Sequence, residues 1–245
     1  MQKKWFEKWF DSPYYHILYQ NRSNNEAEIF IDNLFNYLNP SLNSKLLDVA
    51  CGRGRHATYL NKKGFDVTGI DLSPSSIAFA SQYNNKKLYF EVHDIRHIYQ
   101  AQAFDLALNL FTSFGYFDTT AEHVDTLKAI RGSLKENGLL VLDYLNTEKA
   151  ILDLKQDEVK HLNGIDFHIT KELTNKYIIK HIRFEDKGKR YTFQEKIKAF
   201  TYVDFENLFA ESDFKICHSF GDYSLNEFDV ISSNRLIFIC QKTNA

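Results

Sequence analysis

Residues 45–60 read Lys45-Leu-Leu-Asp-Val-Ala-Cys-Gly-Arg-Gly-Arg-His-Ala-Thr-Tyr-Leu60. Leu46, Leu47, Val49 and Ala50 form a short apolar run broken only by Asp48, the pattern of a strand buried on both faces of a parallel sheet. Gly52 and Gly54 end the run. Ala57 and Leu60, with polar residues between them, then open an amphipathic helix. Strand, glycine turn and helix together aim backbone N–H groups at a ligand. Glycine has no Cβ, so the ligand lies directly against the main chain. Taken alone, the stretch is also an ordinary strand–helix turn, and two acids further along the chain give it weight. Asp71 closes a second strand-like run, Val67-Thr-Gly-Ile70. An acid at the tip of the second strand is placed to accept both hydroxyls of a ribose. The same acid also stands as a cap ahead of Ser73-Pro74. Asp94 closes a third run, Leu88-Tyr-Phe-Glu-Val92, with His93 between. Three successive strands thus end in polar residues on the edge where open α/β sheets bind ligands.

Asp48-Val-Ala-Cys-Gly-Arg-Gly54, Gly69-Ile-Asp-Leu-Ser-Pro74 and His93-Asp-Ile-Arg96 resemble the first three motifs of class I S-adenosylmethionine-dependent methyltransferases. Phe104-Asp-Leu-Ala-Leu-Asn109 follows as the fourth strand, and Leu134-Lys-Glu-Asn-Gly138-Leu-Leu-Val-Leu142 as the turn into the fifth. The likeness is close over Leu46–Asn146 and looser over Thr201–Lys242. Ala50 departs from the family, which usually has a glycine there; one added methyl is expected to leave the turn intact. The resemblance implies a Rossmann-like, doubly wound α/β sheet of seven strands, mostly parallel with an antiparallel last strand. It implies S-adenosylmethionine as cofactor, with S-adenosylhomocysteine as product. Its contacts would come from Asp48, Ala50, Cys51, Gly52 and Gly54 of the first motif, and from Asp71, Leu72 and Ser73 of the second. Asp94 and Ile95 of the third motif and Asn109 and Leu110 after the fourth strand complete the set. By the same resemblance Leu72 and Ile95 sandwich the adenine ring, and Asp94 or its neighbouring N–H groups read the adenine edge.

The 245 residues suit one large domain or a domain with an insertion. Lys and Arg number 30 against 32 Asp and Glu, and the only basic pairs are short, so nucleic acid is not an expected partner. Cys51, Cys217 and Cys240 are far apart and form no CxxC pair, which points away from a disulfide framework or zinc site and towards a reducing cytoplasm. Cys51 is read as a small buried residue beside the ligand rather than a nucleophile. The N-terminus is too charged for a signal peptide, and no apolar run reaches membrane length. No metal site is expected, and the chain is expected to be a monomer or weak homodimer.

The expected organisation is a helical lid with the first core helix (1–38), a cofactor-binding core (39–146), an antiparallel β insertion over the acceptor site (147–200) and a C-terminal completion of the sheet (201–245). Trp5, Phe6, Trp9 and Phe10 form a helical stripe expected to pack on the core. Pro13, with Ser12 as a cap, interrupts it. The stretch Tyr14–Arg22 is expected to lie over the cofactor. Arg22 would clamp its carboxylate, and Tyr19 would present a ring face to its cation. Ala27–Leu38 reads as a helix stopped by Asn39-Pro40. Ser73-Pro74 opens a helix burying Ile77, Phe79 and Ala80, and Ala121–Leu134 is a further amphipathic helix. Over 155–200, Ile165-Phe167-Ile169, Ile178-Lys180-Ile182-Phe184 and Tyr191-Phe193-Glu195-Ile197 alternate with polar residues, with turns between them. This meander resembles the sheet that roofs the acceptor pocket in several small-molecule methyltransferases.

The acceptor pocket is assigned to the loop after the fourth strand, with Thr112, Ser113, Phe114 and Tyr116, and to Tyr144 and Asn146 after the fifth. His168 on the insertion joins this set, with His181 and Arg183 ranked behind it. The Asn/Asp-Pro-Pro-Tyr/Phe sequence of many nucleic-acid and protein-amide N-methyltransferases is absent, so the expected acceptor is a small molecule, methylated on O or N. Methyl transfer is an in-line displacement that mainly needs placement, so no catalytic residue is assigned. If the acceptor is a hydroxyl, His93, His97, His168, Tyr144 and Asp143 are candidate bases. Two other readings stand beside this one. Gly52-x-Gly54-x-x-Ala57 also fits a nicotinamide (NAD or NADP) oxidoreductase, and a non-catalytic nucleoside-binding module would keep the same glycines and acids.

Overall fold

The structure, a computed structural model, describes residues 4–20 and 24–243. The strands in chain order are β1 (Lys45–Val49), β2 (Asp66–Asp71), β3 (Leu88–Val92), β4 (Phe104–Asn109), β5 (Leu134–Leu145), β6 (Asp157–Leu162), β7 (Ile165–Thr174), β8 (Tyr177–Asp186), β9 (Lys189–Lys198), β10 (Phe214–Phe220) and β11 (Arg235–Lys242). Among the described residues, seven of them form one sheet in the order β10-β11-β5-β4-β1-β2-β3, and β6–β9 form a second, four-stranded sheet. β11 lies antiparallel between β5 and β10, while β1 to β5 run parallel to one another. The mostly parallel dinucleotide-binding sheet has strand order 3-2-1-4-5-6 and shares the β3-β2-β1-β4-β5 part of this order; the antiparallel β11 inserted between β5 and β10 is where this sheet departs from it.

The apolar runs become central strands because both of their faces are covered. In β1, Leu46 packs with α3 (Asn24–Leu38) and α4 (Arg55–Lys62), through Phe30, Leu34 and Leu60. Leu47 points the other way, into a cluster with α6 (Thr120–Ser133) and α8 (Tyr202–Glu211), through Leu127, Phe205 and Phe209. Local chemistry fixes the helix starts. Ser73 caps α5 (Pro74–Ala80) by accepting from Ser76 N, and Thr119–Glu122 and Thr201–Asp204 form capping boxes on α6 and α8.

Four elements differ from the sequence expectation. The fifth strand is longer than 138–142, because β11 pairs with it through to Leu145. A short helix, α7 (Thr147–Leu152), follows it. β6 is an unexpected edge strand of charged residues with Val159 exposed, and so has no buried face to make a pattern. The Trp5–Phe10 stripe, now α1, packs on the second sheet rather than the core. Trp9 is fully buried against Phe193 of β9, with ring centroids 4.6 Å apart, in a cluster with Phe167 and Ile182. One face of β7–β9 is apolar and needs a cover, which α1 and α2 (Pro13–Leu18) supply.

Candidate active site

The turn after β1 is held in left-handed backbone at three positions, Ala50 (φ 59°), Gly52 (55°) and Gly54 (76°). Ala50 therefore keeps the turn, at a cost of about 1–2 kcal/mol for a residue with a Cβ. Any side chain at Gly54 would run into the Phe90 ring, 2.5 Å from where its Cβ would lie. Gly52 is the opposite case: nothing lies within 4 Å of that position. The main chain at Gly52 therefore faces open space. Asp71 stands beside it, its carboxylate accepting from Gly52 N and Ser73 N, each at 2.8 Å. Burial pushes the Asp71 carboxyl up, and these two N–H groups oppose the rise.

That space is a cavity of about 700 Å³, nucleotide-sized by the usual range of ligand sites. Of the expected cofactor contacts, Asp48, Ala50, Cys51, Gly52 and Gly54 line it. Asp71, Leu72, Asp94, Ile95, Leu110 and Tyr19 complete the group the structure brings together. Asp94 is held as a carboxylate by Arg96, at 2.6 Å, against the opposing effect of burial. Asp48 is buried behind the turn and accepts from Ala57 N at 3.2 Å; burial pushes its carboxyl up to about 7.

Two expected contacts turn away from the cavity. Ser73 is occupied as the α5 cap and donates to Asp11 at 2.7 Å. Asn109 is fully buried and donates to Val49 O at 3.1 Å, tying β4 to β1 behind the wall. Arg22 lies outside the described residues.

A second cavity of about 560 Å³ lies beneath the β6–β9 sheet. Phe10, Tyr15, Tyr19, Phe111 and Tyr116 line both cavities, so the two adjoin at an aromatic collar. Of the expected acceptor residues, Tyr116 stands at the collar, Ser113 in the first cavity and Thr112 in the second. The other four depart from the expectation. Phe114 and Tyr144 are core residues packed on Phe205, with the Tyr144 hydroxyl donating to Lys198 O at 2.6 Å. Asn146 is buried and holds the 230–233 loop through Val230 O and Ser233 O. His168 is exposed on the outer face of β7, because it alternates with the inward Phe167 and Ile169.

None of the five candidate bases lines either cavity. Asp143 is sealed in an ion pair with Arg235 at 2.6 Å and accepts from Phe111 N at 2.7 Å. His93 bonds to His97 O.

Sequence reasoning missed His16 and His56. His56 is buried and stacks on Phe111 at 5.0 Å. Burial and the neighbouring Arg53 push the His16 imidazole down to about 4, so it is neutral at pH 7. The glycine turn itself held the signal for His56, whereas His16 sits among aromatics that gave none. Also missed was a half-buried knot at the collar. Glu195 of β9 accepts from Trp9 Nε1 at 2.7 Å, from the Tyr19 hydroxyl at 2.6 Å and from Lys180 at 2.8 Å. Phe79 is 41% exposed and lines the first cavity with Arg53 over its ring, rather than packing inward. Among the described residues, no cluster of three or more His, Cys, Asp or Glu is placed to hold a metal ion, and no helix is long and apolar enough to cross a membrane.

Comparison with known proteins agrees with this geometry. The family described as Methyltransferase domain matches residues 40–198. A Bacillus subtilis protein named as a methyltransferase, YqeM, is 35% identical over 109 residues, 43% of this chain and 44% of that protein. Glycine/sarcosine N-methyltransferase of Aphanothece halophytica is 31% identical over 154 residues, 60% of this chain and 54% of the enzyme. The chain thus spans about half the length of these curated relatives. An S-adenosylmethionine-dependent methyltransferase structure from Clostridium acetobutylicum shares the fold with a TM-score of 0.79 at 20% identity, covering 94% of this chain and 96% of that one. With the family matched across the glycine turn, both strand-tip acids and the whole second sheet, the chain belongs to the methyltransferase family and is built on the class I fold of its S-adenosylmethionine-dependent members.

Proposed function

We propose that this protein transfers the methyl group of S-adenosylmethionine to a nitrogen or oxygen of a small molecule. The observation that carries the reading is the pair of cavities adjoining at the aromatic collar, one walled by the glycine turn and Asp71, the other by the inserted sheet. When bound, the cofactor supplies a methyl already activated on a sulfonium, so the chain's own residues have only to bind, orient and exclude water. Asp71, a hydrogen-bond acceptor at the strand tip, suits two ribose hydroxyls. Leu72 and Ile95 offer apolar walls to an adenine ring, with Asp94 beside them. The collar is aromatic, and ring faces attract a cation. His16 and His56 line the first cavity and not the second, and the low His16 value makes it a weak base, so no residue is assigned as a base for a hydroxyl acceptor.

The small-molecule acceptor is supported by the size of the second cavity, about 560 Å³, and by the relative that acts on glycine and sarcosine. Cys51, Cys217 and Cys240 are free thiols, which supports a reducing, cytoplasmic setting.

Thermal melting tests the reading. S-adenosylmethionine and S-adenosylhomocysteine are each expected to raise the melting temperature, and NAD and NADP to leave it unchanged. Asp71→Asn is expected to lose about 2–4 kcal/mol of affinity for S-adenosylhomocysteine by calorimetry, the loss of two charge-assisted hydrogen bonds. A shift with a nicotinamide cofactor alone, or undiminished affinity in Asp71→Asn, overturns it.

A further inference from the structure

The second cavity carries an unbalanced charge in one corner. Lys171 of β7 stands directly across from Lys180 of β8, and Lys180 directly across from Glu195 of β9. All three line the cavity. Side chains in register across antiparallel strands have Cβ atoms about 4.5–5.5 Å apart, and like charges so placed repel. Lys180 is neutralised by Glu195 at 2.8 Å. Lys171 is not matched in the same way. Its carboxylate contact is Glu158 at 3.4 Å, and Lys160 approaches that same carboxylate at 3.4 Å. One acid therefore serves two ammonium groups. Lys155, exposed, lines the same cavity and precedes Gln156, whose O accepts from Lys171 N at 2.8 Å. Among the described residues, Lys155 makes no ion pair. Elsewhere on the wall the charges are paired: Arg235 with Asp143 at 2.6 Å and Asp153 with Lys149 at 2.7 Å. The remaining acid, Glu26, lies near Arg235 and Tyr223 rather than near the lysines. Lys155 and Lys171 line the second cavity and not the first, so they stand away from the cofactor side of the collar.

We propose that the acceptor carries an oxyanion, a carboxylate or a phosphate, and that Lys171 and Lys155 bind it at the corner where Lys180 stands beside them. The nucleophile of such an acceptor then lies towards the collar and its charged group under the inserted sheet. This rests on the methyltransferase reading, since it names the substrate class of the same site.

The test is calorimetry on protein saturated with S-adenosylhomocysteine, at constant ionic strength. The probes are 4-hydroxybenzoate and phenyl phosphate, against the uncharged 4-hydroxybenzamide and benzyl alcohol. At least one anionic probe is expected to bind about tenfold or more tighter than its neutral counterpart, as ammonium–oxyanion hydrogen bonds do. Which of the two binds tighter separates carboxylate from phosphate. In Lys155→Gln/Lys171→Gln the preference is expected to fall below about threefold, while S-adenosylhomocysteine affinity stays within about twofold. Lys196→Gln removes a lysine paired with Asp118 outside both cavities and is expected to keep the preference. No preference for an anionic probe in the wild type, including no binding of either, overturns the proposal, as does a preference that survives the double substitution. Failure of the protein to bind S-adenosylhomocysteine at all would instead strike the underlying methyltransferase reading.

Discussion

Asp48 shows how a single buried residue couples the site to stability. It is 1% exposed, next to the glycine turn, and burial raises its carboxyl from 3.8 to about 7. The folded chain therefore holds this proton to a higher pH than the unfolded chain does. Its contribution to stability is complete below about pH 3.8 and is lost as the pH rises through about 7. Asp48→Asn keeps an acceptor for Ala57 N and removes the titration. We expect the variant's melting temperature, relative to wild type, to rise progressively between about pH 4 and 7. A constant difference across that range would show that Asp48 is ionised throughout. Such a residue is easy to place from the sequence, but its protonation follows from burial that only the packed sheet creates.

At the scale of elements, the N-terminal helices are joined to the inserted sheet by one carboxylate. Glu195 gathers donors from α1 (Trp9), from the residue after α2 (Tyr19) and from β8 (Lys180). Its carboxyl is held low by Lys180 against the opposing push of burial. Glu195→Gln leaves the Lys180 ammonium without its counter-charge, with side chains only 18% and 23% exposed. We expect a loss of about 2–3 kcal/mol in urea unfolding, below the range for fully buried pairs because some water reaches this one. We also expect faster release of S-adenosylhomocysteine in stopped flow, since Tyr19 lines the cofactor cavity. Unfolding within about 0.5 kcal/mol of wild type, together with unchanged release, would show that the aromatic contacts alone seat these helices. The alternation of β7, β8 and β9 was legible in the sequence. Which of their faces meets the site was not, because a period of two names two equivalent faces. His168 and Lys180 illustrate the two outcomes.

For the whole molecule, a monomer or weak homodimer is the expected state, and a single chain is then expected to be the working unit. Methyl transfer per chain should then stay constant on dilution, and sedimentation should give the mass of one chain. A specific activity that falls with dilution would assign part of the site to a second copy. The strand–turn–helix at Leu46–Leu60, the acids at the tips of β2 and β3, and the helix caps at Ser73, Thr119 and Thr201 are determined by the sequence itself. They rest on local chemistry, namely apolar runs, left-handed backbone at Gly52 and Gly54, and side chains that reach N–H groups three residues on. Tertiary structure alone decided the rest. Tyr144 and Asn146 sit at the right edge of the sheet yet point into the core, because β11 and the 230–233 loop cover them. The charged corner of Lys155 and Lys171 and the Glu195 knot join residues far apart in the chain. Their meeting depends on α1 and α2 docking on the inserted sheet and on how that sheet sits over the core, and such long-range packing leaves no period or spacing in the sequence.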